Sequence, residues 1–203
     1  MTPAVTVAVA FHANVETIGA CLRSLVAQRG APPFEVVAID NCSRDGSRAV
    51  AASFAGVRIV HESIPGIGSA RGAALRAARA PLLAFLDADC VAPPEWLGRL
   101  FAAILADPTA AALGGALRNA SPRHLVAHAL HLFEFGEQLP RRCAPRATPN
   151  AVPANIIYRR AALEEAGGFE PRLVFAEDTL LHGRLLARGL RVVLDPTIEV
   201  SHA

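Results

Sequence analysis

The sequence predicts an α/β fold, built as one domain around a mostly parallel sheet flanked by helices, and three observations predict it. Short apolar runs rich in β-branched residues, at 5–10, 34–39, 57–60 and 82–86, alternate with segments of helical period. No internal repeat and no composition-shifted linker interrupts the 203 residues. Carboxylates follow the second and fourth runs at once, Asp40 and then the pair Asp87 and Asp89, and open α/β sheets bind ligands at the carboxyl ends of their strands. Alternating strands and helices imply parallel βαβ units with right-handed crossovers.

Residues 5–10 are small and β-branched, the profile of a first buried strand. Phe11, His12, Ala13 and Asn14 then turn the chain, with Asn14 as the expected N-cap of a helix whose Ile18, Leu22, Leu25 and Val26 share a face and which stops at Gly30. Pro32 and Pro33 break the chain before the second strand, which ends in Asp40-Asn41-Cys42-Ser43-Arg44-Asp45-Gly46 and leads to a helix carrying Val50 and Phe54. A third strand at 57–60 passes through Ile64-Pro65-Gly66-Ile67-Gly68-Ser69 into an alanine-rich helix over about 70–79. The fourth strand, 82–86, is apolar throughout, as expected of a strand covered on both faces. In extended chain, residues i and i+2 face the same side, so Asp87 and Asp89 can present their oxygens together. Paired hard oxygen ligands suit Mg²⁺ or Mn²⁺, which complete their shells with water and substrate phosphates. The alternative is a solvated turn capping the next helix.

Past Cys90 the rhythm loosens. Pro93 and Pro94 open a helix with Leu97, Leu100, Phe101 and Ile104 on one face, and residues 111–117 read as a short strand. Leu125, Ala129, Leu132, Phe133 and Gly136 then mark a helical face that Val126 and Leu130 widen, a face expected to pack on the core, with a membrane surface or partner as the alternative. His124, His128 and His131 on that helix lack the carboxylate flank of a metal site and read as surface or partly buried histidines. Residues 141–153, with three prolines and three arginines, read as a loop and a candidate lid. A strand at 154–158, a short helix over about 161–166, and a helix that begins at Glu177-Asp178-Thr179 and turns Leu181, Leu185 and Leu186 inward follow. Strands are expected at 190–194 and again at 198–200.

Composition narrows the function classes. The 52% apolar content excludes a disordered chain, and a net charge of only +2 with scattered arginines calls for no nucleic-acid partner. Cys21, Cys42, Cys90 and Cys143 form no CxxC pair, which argues against a zinc site or disulfide framework and for reduced thiols. No apolar run approaches the roughly 20 residues that span a bilayer, and the N-terminus lacks a signal layout. The expectation is a cytoplasmic protein, at most peripheral at the inner face of the membrane.

Taken in order, these pieces resemble the inverting family 2 glycosyltransferases with the GT-A fold, a Rossmann-like architecture. The matching stretches are the opening strand and turn, Asp40 to Gly46, Gly66 to Ala74, Phe85-Leu86-Asp87-Ala88-Asp89, Gly167-Gly168-Phe169, Glu177-Asp178-Thr179 and the closing His202. The resemblance implies a single catalytic domain over 1–203, with residues 1–92 binding the nucleotide sugar and 93–203 carrying the acceptor site and the catalytic base. It implies a metal-dependent transfer from a nucleoside-diphosphate sugar, a UDP-sugar as the expected donor, to an acceptor hydroxyl on a saccharide, a lipid-linked carrier or a small molecule.

By that resemblance Asp87 and Asp89 hold a divalent cation, Mg²⁺ or Mn²⁺, on the donor diphosphate, and His202 completes the metal site, unless it lies in a frayed tail. Asp40 contacts the base or ribose, or else caps its own loop. His12, where the family usually has an aromatic residue, stacks on the base. Arg71 lines the nucleotide pocket, or else is a surface arginine. Asp178 is the catalytic base, with Glu177 positioning the site, and direct displacement needs such a base to take the acceptor's proton. The alternative for both acids is a simple helix start. Leu180 stands where an acidic residue is often found, and the QxxRW sequence of processive synthases is missing. A nucleotidyltransferase is the rival enzyme, but residues 11–16 hold neither glycine nor lysine. A dinucleotide oxidoreductase fits less well, because the Gly66 segment follows the third strand. A non-catalytic nucleotide-sugar-binding relative is the rival from another class.

Overall fold

The computed structural model describes residues 2–121, 123–173 and 175–203. The first half follows the predicted alternation: β1 (Val5–Phe11), α1 (Ile18–Val26), β2 (Phe34–Asp40), α2 (Ser47–Ala52), β3 (Val57–His61), α3 (Ile67–Ala77) and β4 (Leu82–Leu86). These strands lie in the order β3-β2-β1-β4, all parallel. Alternation along each strand feeds two cores. On β4, Leu82, Ala84 and Leu86 join α1 residues Ile18, Leu22 and Leu25 on one face, while Leu83 and Phe85 join α3 residues Ala70, Ala73 and Ala74 on the other. Two boundaries differ from expectation. Thr17, not Asn14, is the α1 N-cap, because Asn14 is occupied in the preceding turn, where its side chain accepts from the His12 amide. Helix α3 starts three residues early, at Ile67.

The second half departs from the parallel pattern. Its elements are β5 (Cys90–Val91), α4 (Trp96–Ala106), β6 (Ala110–Asn119), α5 (Leu125–Phe135), a 3₁₀ turn (Gly136–Gln138), β7 (Arg146–Ala147), β8 (Asn155–Arg159), α6 (Arg160–Glu165), α7 (Glu177–Leu186) and β9 (Arg191–His202). Strand β8 inserts antiparallel between β4 and β6, and β9 runs parallel to β6. The two strands expected at 190–194 and 198–200 are one strand, with its register slipping against β6 between Gly115 and Ala116. Gly115 is required there, since a Cβ would stand 2.1 Å from the Ile198 carbonyl oxygen and 2.3 Å from Asn155 Nδ2. Asn155, fully buried, ties the slipped region together: its Nδ2 donates to the carbonyls of Ala116 and Ile198, and its Oδ1 accepts from Trp96 Nε1 at 2.8 Å.

Two further expectations are corrected and one is refined. The broad apolar face of α5 does not pack on the core: only His131 and Phe135 are buried, and Leu125, Val126, Leu130 and Phe133 face outward. Residues 141–153 are a loop as expected, apart from the two-residue β7, and that loop is tethered, because β7 pairs with β9 and the Thr148 amide donates to the Val192 carbonyl. Leu186 is exposed, while Leu181 and Leu185 are buried as expected. All four cysteines are free.

Candidate active site

The carboxyl ends of β1, β2 and β4, with the start of α3, enclose a cavity of about 470 Å³ lined by Phe11, His12, Asn41, Gly66, Arg71, Asp87 and Asp89 among others. A second cavity of about 650 Å³ shares Ile67, Arg71, Asp87 and Asp89 with it and continues to Phe135, Phe175, Glu177, Asp178 and His202. The two spaces therefore meet at Arg71 and the aspartate pair.

Backbone pairing explains how residues distant in sequence arrive there. Past β4 the chain turns, with the Cys90 amide donating to the Asp87 carbonyl, and β5 pairs antiparallel with the end of β9 so that Cys90 registers with His202. This places His202 Nε2 3.7 Å from Asp89 Oδ2. His202 is thus held in a strand and clasped by Phe135, whose ring centre is 4.9 Å away; it is not a frayed tail. Asp89 Oδ1 is buried and has no hydrogen-bond partner among the described residues. An orphaned buried carboxylate oxygen is costly unless something pairs with it. Although 34% of the Asp87 side chain is open to the cavity, desolvation by the surrounding walls pushes its carboxyl above the ordinary value. Arg71 opposes that shift and Asp89 adds to it. Two crowded carboxylates, one with a vacant lone pair, beside an imidazole are a donor set that fits Mg²⁺ or Mn²⁺. Cys90 Sγ lies in the same cluster, but burial pushes its thiol far up, with Asp87 and Asp89 adding, so it stays protonated.

Arg71 is no surface arginine. It is buried on α3, its Nη1 is paired with Glu177 Oε1, and its Nη2 lies 3.5 Å from Asp87 Oδ1. Glu177 is 3% exposed, and Arg71 on α3 thereby links the first turn of α7 to Asp87 at the end of β4. Asp178, the next residue, is partly exposed; its Oδ1 accepts from the Thr179 amide at 2.7 Å, and its side chain lines the second cavity. Ala176, just before, adopts a left-handed conformation with φ 60°, a strained arrangement for a residue with a Cβ. Helix α3 can approach the loop before α7 only because position 68 is glycine: a Cβ there would stand 2.3 Å from the Glu170 carbonyl oxygen.

Of the remaining sequence-predicted residues, His12 reaches the site and Asp40 does not. His12 lines the first cavity and is fixed by a 2.6 Å contact between its Nδ1 and the Asn41 carbonyl. Asp40 is not among the lining residues of either cavity. Its carboxylate is 2% exposed, accepts from the Ser43 amide at 3.0 Å, and lies 3.6 Å from His61 Nδ1. The neighbouring Asn41 does line the cavity and was missed as a separate residue. It accepts from the Gly66 amide and donates to the Glu62 and Ile64 carbonyls, joining the β2 and β3 loops. Its signal was an asparagine at a strand end, where such side chains commonly satisfy loop backbone. His182, one turn past Asp178, was also missed: its Nε2 meets the Tyr158 hydroxyl at 2.8 Å and its Nδ1 the Pro149 carbonyl at 3.2 Å. Burial lowers the His182 pKa and raises that of Tyr158.

Comparison with known proteins bears on the family and the fold. The profile of "Glycosyl transferase family 2" matches residues 6–167. The chain is 31% identical to the succinoglycan biosynthesis protein ExoO of Rhizobium meliloti (strain 1021), over 96% of this chain and 59% of that protein. Among solved structures, the mannosyltransferase PcManGT from Pyrobaculum calidifontis, in complex with GDP-Man and Mn²⁺, superposes with a TM-score of 0.78 at 25% identity, over 100% of this chain and 57% of that one. S. aureus TarS 1-349, in complex with UDP-GlcNAc, superposes with a TM-score of 0.77 at 21% identity, over 97% and 57%. The chain spans about three-fifths of the length of these relatives.

Proposed function

This chain belongs to glycosyl transferase family 2 and has the GT-A fold, and on that premise we propose that it transfers a sugar from a nucleoside-diphosphate sugar, with UDP as the expected nucleotide, to an acceptor hydroxyl with inversion. The observation that carries the reading is the orphaned Asp89 oxygen at the junction of two cavities, with Asp87 and His202 around it and Asp178 on the wall of the second. That PcManGT was solved with GDP-Man and Mn²⁺, and TarS with UDP-GlcNAc, supports a nucleotide-sugar donor.

Residues 1–92 form the donor half in this reading and 93–203 the acceptor half. Asp87, Asp89 and His202 hold a divalent cation, which when bound stabilises the negative charge that grows on the departing diphosphate. His12 faces the base. Asp40 acts on the base or ribose through the loop it braces, since its carboxylate is taken up by Ser43, His61 and Arg48. Arg71 supplies fixed positive charge beside Asp87, and Glu177 holds that guanidinium in place. Asp178 accepts the proton of the attacking hydroxyl. Inverting displacement at the anomeric carbon needs a base for the incoming hydroxyl on the side opposite the leaving group, and in this reading Asp178, on the wall of the second cavity, serves that side.

A thermal-shift panel of UDP, GDP and their sugars, with and without Mn²⁺, tests this directly. A ligand at 100 times its Kd stabilises by about 2.7 kcal/mol. Stabilisation by a nucleotide sugar that depends on Mn²⁺ is expected; no response to any nucleotide in either condition overturns the reading. Slow donor hydrolysis in the same samples separates an enzyme from a binding-only relative.

A further inference from the structure

Helix α5 leaves an apolar face uncovered beside the second cavity. Two adjacent stripes, Leu125, Ala129 and Leu132 with Val126, Leu130 and Phe133, fall at i, i+4 and i+7 and turn away from the buried residues His131 and Phe135. Phe133 is 92% exposed and Leu125 83%. Scattered exposed apolar residues are ordinary, but a whole helical face of them marks an interaction surface.

Charge decides what it fits. Residues 118–146 hold five arginines against two glutamates, a net +3, while the whole chain is only +2, so the rest of the molecule carries −1. These arginines stand at both ends of α5. Arg118 and Arg123 are exposed at the amino end, where Asn119 contacts His128 on the helix. At the carboxyl end Arg141 and Arg146 donate to the Gly136 and Glu137 carbonyls, with Arg142 exposed between them. An apolar helical face bracketed by cations is the pattern of a helix that lies in a membrane interface and prefers anionic lipid. Among the described residues no helix is long and apolar enough to cross a membrane, so such a contact would lie on the surface of the bilayer.

We propose that the outer face of α5 docks this protein on an anionic lipid surface. Helix α5 also lines the second cavity, through Glu134 and the buried Phe135, and the exposed Phe175 lines the same cavity. Resting on the transferase reading, the exposed Phe175 of that cavity meets the same bilayer, and the acceptor is one presented there, a hydroxyl on a lipid-linked carrier rather than on a freely diffusing sugar.

The test uses vesicles of phosphatidylcholine alone and of phosphatidylcholine with phosphatidylglycerol, at low and high salt. The protein should sediment with the anionic vesicles and be released by salt. Phe133→Asp should weaken that binding at least about tenfold, and Arg141→Gln with Arg142→Gln roughly thirtyfold at low salt. Val26→Asp, at an exposed apolar site on α1, should leave it unchanged. Because Trp96 is buried and is the single tryptophan, Phe133→Trp and Phe175→Trp give clean reporters, and both should shift to shorter wavelength on anionic vesicles. No sedimentation with either vesicle overturns the docking proposal, as does a concentration-dependent dimer that Phe133→Asp dissolves without any vesicle binding. A shift at Phe133→Trp with none at Phe175→Trp overturns the acceptor assignment. Nucleotide binding by Phe133→Asp, read in the Mn²⁺ thermal-shift panel, tests the transferase reading separately, since α5's outer face is no part of the donor site.

Discussion

The two walls of the site are built by different physics. On the side of β1 to β4, the strand-end loops are bonded to one another. His12 meets the Asn41 carbonyl, the Ala13 amide donates to Ser43 Oγ, the Val15 amide to Asp45, and the Gly66 amide to Asn41. On the side of α5 and α7, the wall carries exposed Phe175, left-handed Ala176 and a helix with half its surface uncovered. A preassembled wall suits a ligand whose shape does not vary, because no ordering cost is left for binding. A wall with free apolar surface suits a partner that completes it. Arg71 on α3, paired with Glu177 on α7, spans the two.

Replacing Asp178 by Asn is the sharpest way to separate the walls. Asparagine keeps size and most hydrogen bonding but cannot take the acceptor's proton, and general base catalysis contributes about 10² to 10⁴-fold, or roughly 3 to 5.5 kcal/mol. Transfer should fall at least about a hundredfold while calorimetric affinity for the nucleotide with Mn²⁺ stays near that of the wild type. Transfer near the wild-type rate would leave Asp178 a helix-start residue. Arg71→Met attacks the link itself. It strands Glu177 buried without a partner, and breaking a buried pair costs about 3 to 5 kcal/mol. Urea unfolding should show that loss, and adding Glu177→Gln should recover part of it. A loss under about 1 kcal/mol would mean that the two walls are held together elsewhere.

What the sequence made legible follows the same division. The parallel strands were readable because runs covered on both faces are apolar from end to end, and their carboxyl ends fix where Asp87 and Asp89 go. Strand direction has no such signature. Apolar period reports that 155–159 is a strand, but its antiparallel seat between β4 and β6 depends on contacts remote in sequence. Periodicity likewise located the apolar face of α5 without indicating whether anything covers it. His202 reached the site through its register with Cys90, and Arg71 through a partner 106 residues away. Neither pairing leaves a local pattern. Resemblance in motif order pointed to both residues before any spacing could.

On the preassembled wall, Asp89→Asn should have a smaller and more selective effect. The amide removes one negative charge from the proposed cation site but fits the same space, so the fold should hold. The Mn²⁺-dependent part of nucleotide stabilisation, about 2.7 kcal/mol at 100 times Kd, should shrink or vanish. Calorimetry in the presence of Mn²⁺ that matched wild type would remove Asp89 from the cation site.

The smallest expected effect lies beneath the other wall, in the pH dependence of stability. His182 is buried between the Tyr158 hydroxyl and the Pro149 carbonyl, and burial holds its pKa below the ordinary 6.5, with Asp178 and the Pro149 carbonyl opposing and Arg71 assisting. The unfolded chain therefore binds a proton more readily than the folded one. His182's contribution is full above about pH 6.5 and is lost progressively as pH falls toward the lowered folded value, by at most about 1.4 kcal/mol per pH unit. His131, lowered by burial although its bond to the Leu117 carbonyl opposes that, adds a loss of the same sign in the same window. Urea midpoints measured between pH 7.5 and 5.5 should fall for the wild type and fall less steeply for His182→Gln, whatever the absolute stability of the variant. His131→Gln should remove a separate share of the slope. If both variants kept the wild-type slope, the loss at mild acid would have to come from groups other than the two buried imidazoles, and the Tyr158–His182 pair would be a packing contact with no part in the titration.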